Sequence, residues 1–252
     1  MKFRISGMAA AIALMISVNA HAVIIVDTFN TTQRLSTTGL PPASGTSGTV
    51  TDGANILGAE REASISGTGT ATLDINDPFS GELELSNNSG VTSTSVLRYD
   101  GGGTGVGAAG LGGVDFTQSG SQNAFELAIL FDDLPMSITI EVASAGGSSK
   151  MTVVTPGGIF SGSVPLLFEY SSFSTLTGAG ADFTGLDSIE LVLDANIRAT
   201  DIALDFFGTA GPTPTLTIEA DSVVFGIAEP SPLSILSLGL IGLAYYRRRK
   251  AA

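Results

Sequence analysis

The sequence predicts an all-β protein, an antiparallel two-sheet sandwich of jelly-roll-like character, lying between two terminal targeting segments. Three observations support this fold class. Apolar residues recur with a period of two along many short stretches, glycine-rich turns separate those stretches, and no helical period appears between the two ends. Such alternation is typical of strands with one buried and one solvated face. Many short strands divided by turn signals favour a sandwich.

Five stretches carry the alternation most clearly. Their predicted inward residues are Leu83 and Leu85; Phe125, Leu127, Ile129 and Phe131; Ile138, Ile140 and Val142; Ile189, Leu191 and Leu193; and Ile202, Leu204 and Phe206. Turn signals such as Asn87–Gly90 and Pro156–Gly158 divide them. The glycine-rich stretches Thr37–Gly53 and Gly101–Gly113 are predicted as loops, and a last strand is expected at Leu216–Ala220.

The N-terminus has the organisation of a secretory signal peptide. Two of the first four residues are basic, Ile5–Val18 is apolar, and Ala20 and Ala22 are small residues at the −3 and −1 positions that signal peptidase requires. Residues 1–22 are therefore predicted to be removed by signal peptidase. The mature chain is expected to begin at Val23.

Cleavage at that point restricts the chemistry of the mature protein. The chain has no cysteine, and its one histidine is His21, inside the predicted signal peptide. Nucleophilic catalysis that depends on histidine or cysteine is therefore excluded for the mature form, as are zinc sites built on these residues. Disulfide bonds are excluded as well.

The body of the chain is strongly acidic. Residues 23–228 hold 23 acidic side chains and only five basic ones, a net charge of −18; the bases are Arg34, Arg61, Arg98, Lys150 and Arg198. Nucleic acid and anionic lipid would be repelled by such a surface. Nucleic acid is therefore excluded as a partner, whereas divalent cations or basic partners would be attracted.

The C-terminus resembles a short membrane anchor. Glu229 and Pro230 open a non-helical entry, Leu233–Tyr246 is uncharged, and Arg247–Lys250 is a block of four cations. Fourteen helical residues reach about 21 Å, short of the roughly 30 Å hydrocarbon core, so snorkelling arginines would have to extend the span. The positive-inside rule places the cations in the cytoplasm and the body outside.

Residues 228–250 resemble the PEP-CTERM sorting tail of exported Gram-negative proteins. The matching positions are Glu229 and Pro230, the apolar helix at 233–246, and the basic end with Arg247, Arg248 and Arg249; Ala228 stands where the pattern has its first proline. The resemblance implies recognition and cleavage by an exosortase, a membrane protease-transpeptidase, after transient anchoring. The released protein would then reach the cell surface or medium. An ordinary C-terminal anchor is the alternative.

Residues 23–227 are predicted to form one domain. Three segments in it, at 58–62, 98–101 and 186–193, look similar to other exported proteins bearing this tail. That similarity implies no defined activity.

Acidic side chains are the remaining candidates for chemistry in the body. Asp194, Asp201 and Asp205 are weak candidates for a Ca²⁺ site, because carboxylates on neighbouring strands can bind this ion together with backbone carbonyls. A pair of such acids could also hydrolyse glycosides. Their spacing does not distinguish either role from a solvated sheet face. Aromatic platforms are scarce, since the body has no tryptophan and only Tyr99 and Tyr170 as tyrosines.

These observations favour an exported structural or adhesive protein of the extracellular matrix, without enzymatic activity, that associates with exopolysaccharide. The first alternative is a Ca²⁺-dependent carbohydrate-binding module that uses the loops at one end of the sandwich. An acid-pair glycoside hydrolase is a second alternative. No cofactor other than Ca²⁺ is expected.

Overall fold

The computed structural model of the chain describes most of the predicted body, namely residues 23–38, 43–102, 110–158, 162–212, 218–219 and 222–223. The predicted signal peptide and sorting tail lie outside these residues, and both stay predictions. Within the described part, no helix has the length and apolar character needed to cross a membrane. Helical structure in this part is limited to two 3-10 turns, Leu57–Ala59 and Tyr170–Ser172.

Sixteen strands are present in the described residues. In chain order they are β1 (Ile25–Asp27), β2 (Gln33–Thr37), β3 (Ala43–Thr51), β4 (Glu60–Gly67), β5 (Ala71–Ile75), β6 (Leu83–Asn87), β7 (Ser93–Tyr99), β8 (Ala124–Asp132), β9 (Ser137–Ser144), β10 (Gly147–Val154), β11 (Val164–Glu169), β12 (Ser174–Gly178), β13 (Leu186–Ala195), β14 (Ile202–Ala210), β15 (Ile218–Glu219) and β16 (Ser222–Val223). The last two form a separate two-stranded hairpin.

The first fourteen strands form two seven-stranded antiparallel sheets. The first sheet has the order β11, β8, β14, β6, β5, β2, with β1 also paired to β14. The second has the order β12, β10, β9, β13, β7, β4, β3. Apolar side chains from both inner faces meet in one core. The predicted fold class, an antiparallel two-sheet sandwich, is confirmed.

The period-two pattern placed most inward residues correctly. The predicted inward residues of β6, β9 and β13 are all buried. The prediction for β8 is wrong at its end: Ala203 pairs with Phe131 but Leu204 pairs with Ile129, so Leu130 is an extra residue. Because such a bulge shifts the alternation by one position, Phe131 turns outward and Asp132 becomes buried.

A second bulge corrects the prediction for β14. Leu204 pairs with Ile129 and Phe206 with Ala128, which leaves Asp205 as the extra residue. Phe207 is consequently buried in the core in place of Phe206.

The prediction of a loop over Thr37–Gly53 is also wrong. Its larger part is β3, nine residues long, which pairs with β4 from Ala43 opposite Gly67 to Thr51 opposite Glu60. Its threonine and valine residues suit an extended backbone, and an edge strand tolerates glycine because only one side has to pair. The strand was predicted as a loop because its sequence is rich in glycine, serine and threonine.

A buried ionic cluster, the Arg61 network, ties the two sheets together. Arg61 donates from Nη1 to Asp27 Oδ2 at 2.6 Å, from Nε to Gln33 Oε1 at 2.9 Å and from Nη2 to the Thr31 carbonyl at 2.7 Å. Tyr99 Oη also donates to Asp27 Oδ2, at 3.0 Å. Each polar group of the guanidinium therefore has a partner inside the core, which buried charges require.

Candidate functional site

The structure does not bring the predicted Ca²⁺ ligands together. Asp194 lies on β13 of the second sheet, where its Oδ1 accepts a bond from Thr94 Oγ1 at 3.3 Å. Asp201 and Asp205 belong to the first sheet, where Asp201 precedes β14 and Asp205 sits in the bulge. Among the described residues, no group of three or more acidic side chains is arranged to hold a metal ion. The sorting and cleavage residues lie outside the described ranges.

A row of side chains on the outer face of the first sheet forms the floor of a candidate site. In register across neighbouring strands, Arg34 lies opposite Asp74, Asp74 opposite Glu84, Glu84 opposite Ala203, and Ala203 opposite Phe131. Because Ala203 has only a methyl side chain, a hollow remains between the carboxylate of Glu84 and the ring of Phe131. The bulge in β8 is what turns Phe131 toward this face.

The turn between β5 and β6 supplies an aromatic wall to the hollow. Asn76, at a φ of 56°, fixes the turn, since its side chain donates to the Asn30 carbonyl at 2.8 Å and accepts from Gly81 N–H at 3.0 Å. Asn76 N–H also donates to the Glu82 carbonyl at 2.8 Å, which closes the turn. Phe79 is carried between these anchors with 57% of its surface exposed. The turn therefore presents a large aromatic surface to solvent at a fixed position.

We call this site the Phe79 groove. It has a volume of about 230 Å³ and is lined by Phe79, Glu82, Glu84, Leu130, Phe131, Asp201, Ile202 and Ala203. Strand residues form its floor, so most of the lining is positioned by rigid backbone. Two phenyl rings and three carboxylates therefore converge on one small hollow.

The carboxylates of the groove differ in their surroundings. Asp201 Oδ1 accepts from Asn87 N–H at 2.8 Å, and Asp201 N–H donates to Asp133 Oδ1 at 2.8 Å. Burial raises the pKa of Glu84, and the nearby carboxylates of Asp74, Asp201 and Glu82 raise it further. Glu84 therefore takes up a proton more readily than an isolated glutamate does.

Such a lining suits a ligand with both apolar faces and hydroxyl groups. Aromatic rings pack against the C–H faces of flat, partly apolar groups. Carboxylates accept hydrogen bonds from hydroxyl donors, and these bonds are stronger than those between neutral groups. A pyranose ring presents both features at once. Ligand sites of this kind combine a few positioned polar groups with an apolar surface.

Sequence reasoning missed Phe79 because it considered only tryptophan and tyrosine as platforms. Neither tyrosine offers an open platform for a sugar. Tyr99 is fully buried in the Arg61 network, and Tyr170 stacks on Phe183 with ring centroids 4.4 Å apart. The available signal was a phenylalanine inside the turn sequence Asn76–Gly81, where a core residue is not expected.

Comparison with known proteins gives structural neighbours only. No family model matches the chain, and no curated protein matches it. The chain is similar to a Family 11 carbohydrate-binding module of the cellulosomal cellulase Lic26A-Cel5E of Clostridium thermocellum, with 15% identity, a TM-score of 0.36, and coverage of 77% of this chain and 96% of that one.

Two further neighbours have similar values. A solution structure of CtCBM11 has 13% identity and a TM-score of 0.40, with 78% of this chain and 99% of that one covered. An exo-β-agarase has 14% identity and a TM-score of 0.36, with 57% of this chain and 22% of that one covered. These values are too low for any neighbour's ligand or activity to be transferred to this chain.

Proposed function

We propose that this chain is a non-catalytic glycan-binding protein that holds polysaccharide in the Phe79 groove. The supporting observation is an exposed aromatic ring paired with carboxylates in one hollow on rigid strands. In this arrangement Phe79 and Phe131 contact the apolar face of a sugar unit. Glu82, Glu84 and Asp201 accept hydrogen bonds from its hydroxyl groups.

This proposal gives the predicted adhesive role a molecular basis. A protein of the extracellular matrix adheres to exopolysaccharide by binding sugar units, so glycan binding and a structural role are compatible. Whether this binding requires Ca²⁺ is tested by measuring it in Ca²⁺ and in EDTA. Binding that disappears in EDTA makes the module Ca²⁺-dependent, and binding that persists makes it metal-independent.

We further propose that the chain is exported, transiently anchored by the helix at 233–246, and released by an exosortase-type protease. The terminal sequence patterns alone support this part. The released form is expected to begin at Val23 and to end near Ala228, and intact mass spectrometry of medium and membrane fractions measures both ends. Full-length chain found only in membranes would favour an ordinary anchor instead.

The groove is tested by Phe79→Ala. Removing the ring removes the apolar contact with the sugar, and anchors of this kind typically dominate a binding site, so the Kd for polysaccharide is expected to rise about tenfold or more. The measurement is affinity gel electrophoresis with neutral soluble polysaccharides, such as mixed-linkage β-glucan, galactan and mannan, in Ca²⁺ and in EDTA.

Ile197→Ala is the matched control, because Ile197 is also an exposed apolar residue, at 42%, but lies in the connection between β13 and β14, outside the strands of both sheets. Its mobility shift is expected to equal that of the wild type. The proposal fails if the wild type is not retarded by any of the glycans, or if Phe79→Ala is retarded as strongly as the wild type.

A further inference from the structure

Five charged side chains stand in one row across the outer face of the second sheet. In register, Arg98 lies opposite both Glu62 and Glu190, Glu190 lies opposite Glu141, and Glu141 lies opposite Lys150. We call these five residues the charged row. Two of the five basic side chains in the body are concentrated here.

The guanidinium of Arg98 is already occupied on both sides. Its Nη1 donates to Glu62 Oε2 at 3.3 Å, and its Nη2 donates to Glu190 Oε2 at 3.0 Å. All three side chains remain partly open to water, with 27%, 40% and 15% of Arg98, Glu62 and Glu190 exposed. These three side chains of the row are therefore held in place before any ligand arrives.

A groove lies beside Arg98, where β3, β4 and β7 meet at the edge of the sheet. It has a volume of about 470 Å³, and its lining side chains include Ser47, Thr49, Glu62, Ser64, Val96 and Arg98. Hydroxyl groups from β3 and β4 thus join a carboxylate and a guanidinium around the apolar Val96. Because hydroxyls both donate and accept, this lining complements a surface rich in hydroxyl groups.

The middle of the row holds an unfavourable pair. Glu190 and Glu141 lie directly opposite each other on β13 and β9, and like charges in that position are destabilising. Burial raises the pKa of Glu141 and the charge of Glu190 raises it further, whereas the charge of Lys150 lowers it by a smaller amount. Hydroxyl donors placed over the pair would relieve the repulsion, whereas another anion would increase it.

We propose that this outer face is a second glycan-binding face, separate from the Phe79 groove, and that it takes uncharged polysaccharide. This inference rests on the proposed function. The two faces lie on the outer sides of two packed sheets, so one chain can bridge two polysaccharide strands. Uronate or sulfate groups are excluded, because Arg98 already has two carboxylate partners and the body carries a charge of −18.

Bridging is measured by light scattering of a neutral polysaccharide that the wild type retards in gels. The wild type is expected to raise scattering, with a maximum at an intermediate ratio of protein to polymer. Phe79→Ala and Glu62→Gln/Arg98→Gln each leave one face intact, so both variants are expected to lose the scattering rise. Both should still be retarded in gels, but with an apparent Kd about tenfold or more above that of the wild type. Arg198→Gln/Asp205→Asn is the matched control, since it removes one base and one acid elsewhere and should behave as the wild type.

The outcomes separate the two proposals. Unchanged scattering by Glu62→Gln/Arg98→Gln, with a melting temperature equal to the wild type's, overturns the second face and leaves the Phe79 groove standing. No retardation of the wild type by any neutral polysaccharide overturns both. Retardation by a polyuronate as strong as by the neutral polymers overturns the uncharged ligand class. Scattering by Phe79→Ala equal to the wild type's overturns the groove, and with it the proposal that these two faces bridge the polymer.

Discussion

Arg61 and Arg98 lie on the neighbouring strands β4 and β7, and their side chains leave the second sheet on opposite faces. Arg61 points inward, is completely buried, and pairs with the equally buried Asp27. Arg98 points outward, remains 27% exposed, and pairs with Glu62 and Glu190. The same ion-pair chemistry therefore occurs on both faces of one sheet.

The surroundings give the two ion pairs different consequences. Inside the core each charge needs its partner, because an unpaired buried charge is strongly destabilising. On the surface, water and salt compete with the pair, and such pairs contribute little to stability. The Arg61 network therefore specifies how the strands assemble. The charged row contributes little to folding and leaves its groups accessible to a ligand.

The largest loss of stability is expected for Arg61→Ala. It leaves Asp27 as a buried carboxylate without its cation, and breaking such a pair typically lowers the free energy of unfolding by about 3–5 kcal/mol. Urea denaturation measures the change. The double variant Asp27→Leu/Arg61→Met removes both charges and is expected to recover most of the loss. Equal losses in both variants would attribute the effect to packing instead of charge.

A much smaller effect is expected for Arg98→Ala. The exposed pairs with Glu62 and Glu190 are screened by solvent, so the free energy of unfolding should fall by no more than about 1 kcal/mol. The difference from the wild type should shrink further in high salt. A loss as large as that of Arg61→Ala would break the contrast between the two arginines.

The smallest effect is expected for Glu141→Gln, which should change how the free energy of unfolding depends on pH. Burial and the charge of Glu190 raise the pKa of Glu141 above its usual 4.5, so the native state binds this proton more readily than the unfolded chain does. Its contribution to stability is therefore full below pH 4.5 and is lost as pH rises through the native pKa. The wild type should accordingly lose stability relative to Glu141→Gln between pH 4 and pH 7.

Urea denaturation at both pH values checks this difference, and Glu169→Gln, an exposed acid on β11 of the other sheet, is the control. A constant difference between wild type and Glu141→Gln across this range would mean that the native pKa of Glu141 is not raised by burial and Glu190 together.

Much of the sandwich was predictable because alternation is a local property. β6 and the stretches 138–142 of β9 and 189–193 of β13 follow a period of two, and each strand lies in the interior of its sheet, where both faces are defined by packing. The failures at Phe131 and Phe206 come from bulges, which depend on how β8 and β14 pair with each other. β3 was missed since its composition is that of a loop.

The structure brings together residues from the three segments at 58–62, 98–101 and 186–193. They contribute Glu62, Arg98 and Glu190, which meet in one row although 36 residues separate Glu62 from Arg98 and 92 separate Arg98 from Glu190. The first two segments also contribute Arg61 and Tyr99 to the buried network.

The fold class and the acidic charge of the body could be predicted from the sequence, because each depends on composition or on residues close together in the chain; the terminal targeting signals stay predictions of the same kind. The candidate groove could not be predicted from the sequence, because its residues meet only in the folded chain. Phe79, Glu84 and Phe131 share a groove only because a turn, a strand pairing and a bulge bring them together. Strand order and register result from packing across the whole core, which no short stretch of sequence encodes.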